Sequence, residues 1–247
     1  MANAPKKMKI LVVDDQEAFL QAVIDEVTFL GYETLSAKNG QEAFDVAKST
    51  KVDLILSDIR MPNKDGRWFL NELRKVQKAS PPFIFMTGFA DLSIQDAYAM
   101  GVDGFLAKPL NPEKMECLAA KLCLPIEARW TTTNSEKPIH HISKNYSMSA
   151  LDPNLNEIKF GRGGMYLFIN KLAFQVGDYI SFNLQFQGAP LNLLEGTGTI
   201  VWKKENPEGI ADEYGLFFES LSEEANNQWL AFLKSSEMVE VIPNGTI

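Results

Sequence analysis

Along residues 8–124, short apolar runs alternate with longer segments whose apolar positions recur every three or four residues. The runs are Ile10–Val13, Glu33–Ala37, Leu54–Ser57, Phe83–Met86 and Gly104–Ala107. The segments that follow them are Gln16–Leu30, Gly40–Lys48, Gly66–Gln77, Asp91–Met100 and Asn111–Leu122. In the first segment Phe19, Leu20, Val23, Ile24, Val27 and Leu30 share one helical face, and Gly31 follows as the residue after the C-cap. Strands alternating with helices predict an α/β doubly wound fold, a five-stranded parallel sheet covered on both faces.

The period is lost after Leu124-Pro125. Residues 131–155 are rich in Thr, Ser, Asn and Pro and read as a linker with an irregular beginning to the next domain, in which Ile139–Ile142 is a candidate edge strand. From Asn156 the period becomes two. In Tyr179–Phe186, the side chains of Ile180, Phe182, Leu184 and Phe186 face one way and those of Tyr179, Ser181, Asn183 and Gln185 the other. Met165–Ile169, Leu194–Lys203 and Tyr214–Phe218 read as further strands, with Gly-rich turns between them, which implies a sandwich or barrel. Ser220-Leu221-Ser222-Glu223 carries a capping-box pattern for a last helix, whose Ala225, Trp229, Phe232 and Leu233 would lid the β domain. The expected organisation is therefore residues 1–124, a linker over 125–155, and a small antiparallel β-barrel with a C-terminal helix over 156–247, with residue 127 as an earlier start.

Composition narrows the function classes. The chain has 247 residues, 45% hydrophobic and 23% charged, as a folded protein does. Its net charge of −8 and pI near 4.9 argue against nucleic acid or an anionic membrane surface as partner. The excess is uneven: residues 1–124 carry 15 Lys and Arg against 17 Asp and Glu, and residues 125–247 carry 9 against 15. A second half at −6, without a helix-turn-helix pattern, is not expected to bind DNA. Cys117 and Cys123 cannot build a disulfide framework or a zinc site, and read as thiols in a reduced cytoplasm. His140 and His141, adjacent on a strand, would face opposite ways and make a poor chelating pair. No stretch reaches the ~18 apolar residues of a membrane span, and the N-terminal run is too short for a signal peptide, so a cytoplasmic protein without membrane insertion is expected.

In parallel sheets of this kind, sites form at the carboxyl ends of the strands. The first strand ends in Asp14 and Asp15, the third in Asp58, the fourth in Thr87 and the fifth in Lys108. Three gathered carboxylates need a counter-charge, which a hard divalent cation such as Mg²⁺ and the Lys108 ammonium would supply. The loop after the first strand, Asp14-Asp15-Gln16-Glu17, would repel a phosphate unless a metal intervened, which counts against a dinucleotide-binding domain.

With ILVVDD, DLILSDIRMPNKDG, FIFMTG and DGFLAKP in order, residues 8–124 resemble the receiver domain of two-component response regulators. The resemblance implies that Asp58 accepts a phosphoryl group from a histidine kinase or phosphotransfer protein. It also implies that Asp14, Asp15, Asp58 and the backbone carbonyl of Arg60 hold Mg²⁺, and that Thr87 bonds the phosphoryl group. Phe105 falls at the family's aromatic switch, although a core aromatic reads the same. Arg60 and Phe89 fall at loop positions that tune phosphoryl lifetime, and Lys108-Pro109 matches a step where a cis bond is expected.

The second half resembles a PilZ domain through FGRGGMYL, VGDYISFNLQF, GTGTIVW, EYGLFFESLSEE and the last helix. Such domains commonly bind cyclic di-GMP through an Arg-x-x-x-Arg segment and an Asp/Asn-x-Ser-x-x-Gly segment. Here Arg129 is followed four residues on by Thr133, Lys159 replaces the acid and Gly161 the serine, and only Gly164 fits. Arg129, Lys159, Arg162 and Gly164 remain the candidate ligand residues, with turn residues beside solvated basic side chains as the simpler reading. The expectation is a non-enzymatic, phosphorylation-controlled switch. Its second domain would meet an unidentified downstream protein, and the face from Ala90 to Leu122 would release that domain or form a phosphorylation-linked homodimer. A cyclic di-GMP sensor is the alternative.

Overall fold

The computed structural model describes residues 8–77, 81–88, 92–131, 136–150, 152, 156–170, 174–205, 211–236 and 238–244. The chain divides into two compact units, one of residues 1–93 with 100–123, the other of residues 94–99 with 124–247.

The first unit is built on β1 (Lys9–Val13), α1 (Glu17–Phe29), β2 (Glu33–Ala37), α2 (Gly40–Ser49), β3 (Leu54–Asp58), α3 (Gly66–Val76) and β4 (Phe83–Thr87). The short α4 (Ile94–Ala99) follows in the chain and groups with the second unit. Then come β5 (Gly104–Ala107) and α5 (Pro112–Cys123). The five strands are all parallel, in the order β2-β1-β3-β4-β5, the doubly wound order whose switch point lies between β1 and β3. β3, in the middle, is buried throughout, which is why its sequence is a continuous run rather than an alternation. Val23 and Val27 of α1 pack with Ile10, Leu54 and Ile84 from the sheet. Gly31, at φ 91°, ends α1: its N–H bonds Thr28 O and the Tyr32 N–H bonds Val27 O, the paired pattern of a Schellman motif. At the opposite end of the strands, buried Arg74 bonds Pro81 O, Gly101 O and Asp103, and Asp103 also accepts from the Phe83 N–H. Such a pair holds the starts of β4 and β5 to α3 because breaking it would strand a buried charge.

The second unit contains a six-stranded sheet of β6 (His140–Asn145), β7 (Ile158–Gly161), β8 (Gly164–Asn170), β9 (Tyr179–Gln185), β10 (Leu193–Lys204) and β11 (Ala211–Leu221), closed by α6 (Glu223–Ser235). Its order is β6-β9-β10-β11-β8-β7. Here the structure corrects the expectation of an antiparallel barrel. β6 runs parallel to β9 while the other pairs are antiparallel, so the sheet is mixed. A parallel pair needs a long crossover, and β6 is separated from β9 by the whole β7–β8 hairpin. Among the described residues no backbone ladder joins β6 to β7, and the sheet is a curled half-barrel. Side chains span the gap instead: Lys144 of β6 pairs with Glu157 beside β7, and the Tyr146 ring stacks on Phe186, which Phe160 of β7 meets edge-on.

The alternation read in Tyr179–Phe186 holds, with Ile180, Phe182, Leu184 and Phe186 buried. The cap of α6 differs from the sequence pattern. Ser220 is still in β11, its hydroxyl 2.7 Å from Thr197 Oγ1, and Ser222 is the N-cap, accepting from the Ala225 N–H. Trp229, fully buried, packs against Phe218, Phe160 and Phe232 and seats the helix on the sheet. Gly215 faces the Trp202 indole so closely that a Cβ would lie 2.1 Å from Nε1, so a residue with a side chain would push that ring away.

Candidate functional site

The carboxyl edge of the first sheet gathers the charged residues. Asp14 follows β1, fully buried; its N–H bonds Ala37 O and its Oδ1 accepts from the Gln16 N–H at 2.9 Å. Asp15, next in the chain, is exposed. Asp58 ends β3 and is buried, its Oδ1 accepting from the Ile59 N–H at 2.9 Å. The three aspartates place carboxylate oxygens within 4.8 Å of one another. That is a set of hard oxygen donors with the spacing a small divalent cation needs, so the residues fit Mg²⁺.

Lys108 lies across this cluster. Its Nζ is 2.7 Å from Asp14 Oδ2 and 3.1 Å from Asp58 Oδ1. Burial pushes the Asp58 carboxyl above the usual carboxylate range, the Lys108 ammonium pulls it back, and Asp14 adds to the rise. Lys108 is placed by the β4–β5 pair: its N–H bonds Thr87 O, and a cis peptide bond joins it to Pro109. Thr87 is at the partly exposed end of β4. Phe105 is partly buried in β5, level with Phe85, the ring centres 6.4 Å apart.

The loop after Asp58 is held by close approach. A Cβ on Gly66 would lie 2.1 Å from the main-chain Asp58 O, so only glycine lets α3 begin so near the end of β3. The Gly66 N–H bonds Ile59 O, and Asp65 caps α3 through the Trp68 N–H. Exposed Arg60 lies in the same loop, and Phe89 falls outside the described residues.

The structure also sets Phe19 of α1 beside the cluster, its ring centre 4.3 Å from Lys108 Nζ. From sequence Phe19 is one more apolar residue of a helical face; the available signal was its position one turn past the paired aspartates.

The candidate residues of the second unit are differently disposed. Lys159, Arg162 and Gly164 lie on the β7–β8 hairpin, whereas Arg129 ends the short 3-10 turn Ile126–Ala128. Arg129 Nε donates to Leu124 O, and Arg162 Nε to Val239 O. Lys159 Nζ lies 5.8 Å from the centre of the Tyr166 ring. The chain's own C-terminal segment packs over the hairpin turn: the N–H groups of Arg162 and Gly163 bond Glu240 O and Val241 O, and Val241 and Ile242 are buried. A Cβ on Gly164 would lie 2.2 Å from Leu216 O and 2.8 Å from Ile242 Cγ1. The signal for this strap was present as Val239, Val241 and Ile242 after the last helix. Thr133 falls outside the described residues. His140 and His141 take different partners, Asp178 and the Ser181 hydroxyl.

Comparison with known proteins bears on the first half. Residues 10–119 match the family model described as response regulator receiver domain. "Probable transcriptional regulator ycf27" of Porphyridium aerugineum is 32% identical over 112 residues, 45% of this chain and 46% of that protein. "Probable transcriptional regulator ycf29" of Porphyra purpurea is 38% identical over 116 residues, 46% of this chain and 55% of that one. The match thus spans about half the length of these curated relatives. Among solved structures, the chemotaxis protein CheY4 of Vibrio cholerae is similar at 32% identity, with a TM-score of 0.43 over 47% of this chain and 98% of that one. The response regulator TrrA of Thermotoga maritima, in complex with Mg²⁺ and beryllofluoride, is similar at 31% identity, with a TM-score of 0.43 over the same shares. No helix among the described residues is long and apolar enough to cross a membrane. On the family match, residues 10–119 are a response regulator receiver domain.

Proposed function

We propose that the protein is a phosphorylation-controlled switch in which Asp58 takes a phosphoryl group from a phosphohistidine of a kinase or phosphotransfer protein. The observation that carries the reading is the Lys108 ammonium shared between Asp14 and Asp58, at 2.7 and 3.1 Å, at the edge where three carboxylates meet. In the transfer an Asp58 carboxylate oxygen attacks phosphorus, the P–N bond breaks, and the departing imidazole keeps its electron pair and takes a proton. Both the Ile59 N–H and Lys108 engage Oδ1, which leaves Oδ2 to attack. Asp14, Asp15, Asp58 and the Arg60 carbonyl would hold Mg²⁺, which supplies positive charge to the phosphoryl oxygens. Lys108, just after β5 at the same carboxyl edge, adds a second positive charge.

The Thr87 hydroxyl then bonds a phosphoryl oxygen, and Phe105 on the neighbouring strand follows its movement. The new charge and its acceptor oxygens bias a two-state element in this way. The proposed division is a receiver over 1–124 and a PilZ-like output domain that takes in β6 from the 125–155 stretch read as linker and irregular entry. The half-barrel sheet, the lidding α6 and the glycine-rich hairpin support that likeness. Its proposed role is contact with a downstream protein, because Arg129 and Arg162 each direct Nε at a main-chain carbonyl.

The test is incubation of the full chain with Mg²⁺ and acetyl phosphate, followed by intact mass. The wild type is expected to gain one phosphoryl group and Asp58→Asn none. A wild type that gains nothing overturns the reading.

A further inference from the structure

We infer that Phe19 is a positioning residue for Lys108, its ring face holding the ammonium at the phosphoacceptor edge; this deepens the function proposed above and rests on it. A lysine ammonium sits on four rotatable bonds and is strongly hydrated, so two carboxylates alone fix its distance but not its approach. Among the described residues the ammonium has neighbours of two kinds, carboxylate and aromatic ring. Asp14 Oδ2 and Asp58 Oδ1 lie at 2.7 and 3.1 Å, and the Phe19 ring centre at 4.3 Å. An aromatic face at that distance attracts a cation through its quadrupole and displaces water from that side.

The placement follows from the chain. The Gln16 N–H bonds Asp14 Oδ1, and α1 begins at Glu17, so Phe19 falls in the first turn of the helix that leaves the acidic pair. Phe19 packs against the apolar cluster that holds Leu20, Val23 and Met115, and with Leu110 and Pro112 it lines a hollow of about 210 Å³. Leu110 and Pro112 come from the segment just after Lys108. The same short stretch therefore carries the ammonium and the wall behind the ring. Asp14 serves both the lysine and the proposed cation, so an engaged cation would weaken the hold of Asp14 on Lys108. The ring is the neighbour that does not change partner in that exchange.

The test compares Phe19→Leu, which keeps an apolar group, with Phe19→Tyr, which keeps the ring face. Phosphorylation by acetyl phosphate is followed over a range of donor concentrations, with Asp58→Asn as blank. Phe19→Leu is expected to raise the half-saturating donor concentration about 3- to 10-fold, the size of a partly desolvated cation–π contact, while Phe19→Tyr stays near wild type. Independently, the Lys108 side-chain NMR resonances are expected to be ring-current shifted in the wild type and Phe19→Tyr, and to lose that shift in Phe19→Leu. Equal kinetics for wild type and Phe19→Leu, or equal damage from both substitutions, overturns the inference. A wild type that takes no phosphoryl group overturns the function itself, and the resonances then report the contact alone.

Discussion

The candidate site residues of the two units use their charges in opposite ways. At the edge of the first sheet the charged groups face one another: Lys108 meets Asp14 and Asp58, and Asp15 completes the cluster. In the second unit the arginines face the backbone, Arg129 on Leu124 O and Arg162 on Val239 O. Charges that converge on shared space can receive a ligand and change its chemistry. Charges that spend a donor on main-chain carbonyls hold the chain in place. The difference separates a site from a fastening, although the sequence offers the same residue types in both halves.

Loss of Lys108 breaks the comparison hardest. Lys108→Ala removes a preplaced positive charge from the proposed transfer, and the rate of phosphorylation by acetyl phosphate is expected to fall by about 10²–10³. A change of less than about threefold would make the ammonium a structural counter-charge only.

Arg162→Ala is the matching change in the other unit. The bond from the buried Arg162 side chain to the partly buried Val239 O is lost, so stability is expected to fall by about 1–3 kcal/mol in a denaturant titration, with no effect on phosphorylation. Calorimetry of the full chain with cyclic di-GMP is expected to show no saturable heat. Binding with a Kd below about 10 µM, roughly −7 kcal/mol, would turn the fastening into a site.

A smaller contrast lies in alkaline stability. Tyr146, Tyr166 and Tyr214 of the second unit are each pushed up to about 12, first by burial and then by Glu157, Glu213 and Asp212 respectively. In the first unit burial also raises Tyr32. A raised folded value favours the neutral phenol, so this contribution is whole below the unfolded value of about 10 and is lost as pH rises through about 12. Denaturant midpoints recorded across that window are expected to fall, with a delayed phenolate absorbance rise. Tyrosines that all titrate near pH ~10 in the folded protein would contradict it.

What was legible in the sequence divides along the same line. A continuous apolar run such as Leu54–Ser57 and a single amphipathic face such as that of α1 carry their structure locally, so the parallel sheet and the strand ends that define the site could be read off. Partners chosen across the fold could not. The parallel pairing of β6 depends on where β9 lies, Ser222 rather than Ser220 caps α6 because β11 runs on to Leu221, and α4 spans only Ile94–Ala99 of the Asp91–Met100 expected. Asp91 itself falls outside the described residues. Phe19 beside Lys108 and the Val239–Ile242 strap over the hairpin are likewise contacts between residues far apart in the chain, where no period points.

The most direct test of the central claim is to locate the phosphoryl group. The protein is treated with Mg²⁺ and acetyl phosphate, and the acyl phosphate is then reduced with borohydride, which converts a phosphorylated aspartate to homoserine. Peptide mass spectrometry is expected to find homoserine at position 58 and aspartate at positions 14 and 15. Homoserine at either of those two positions, or at none of the three, would contradict the account.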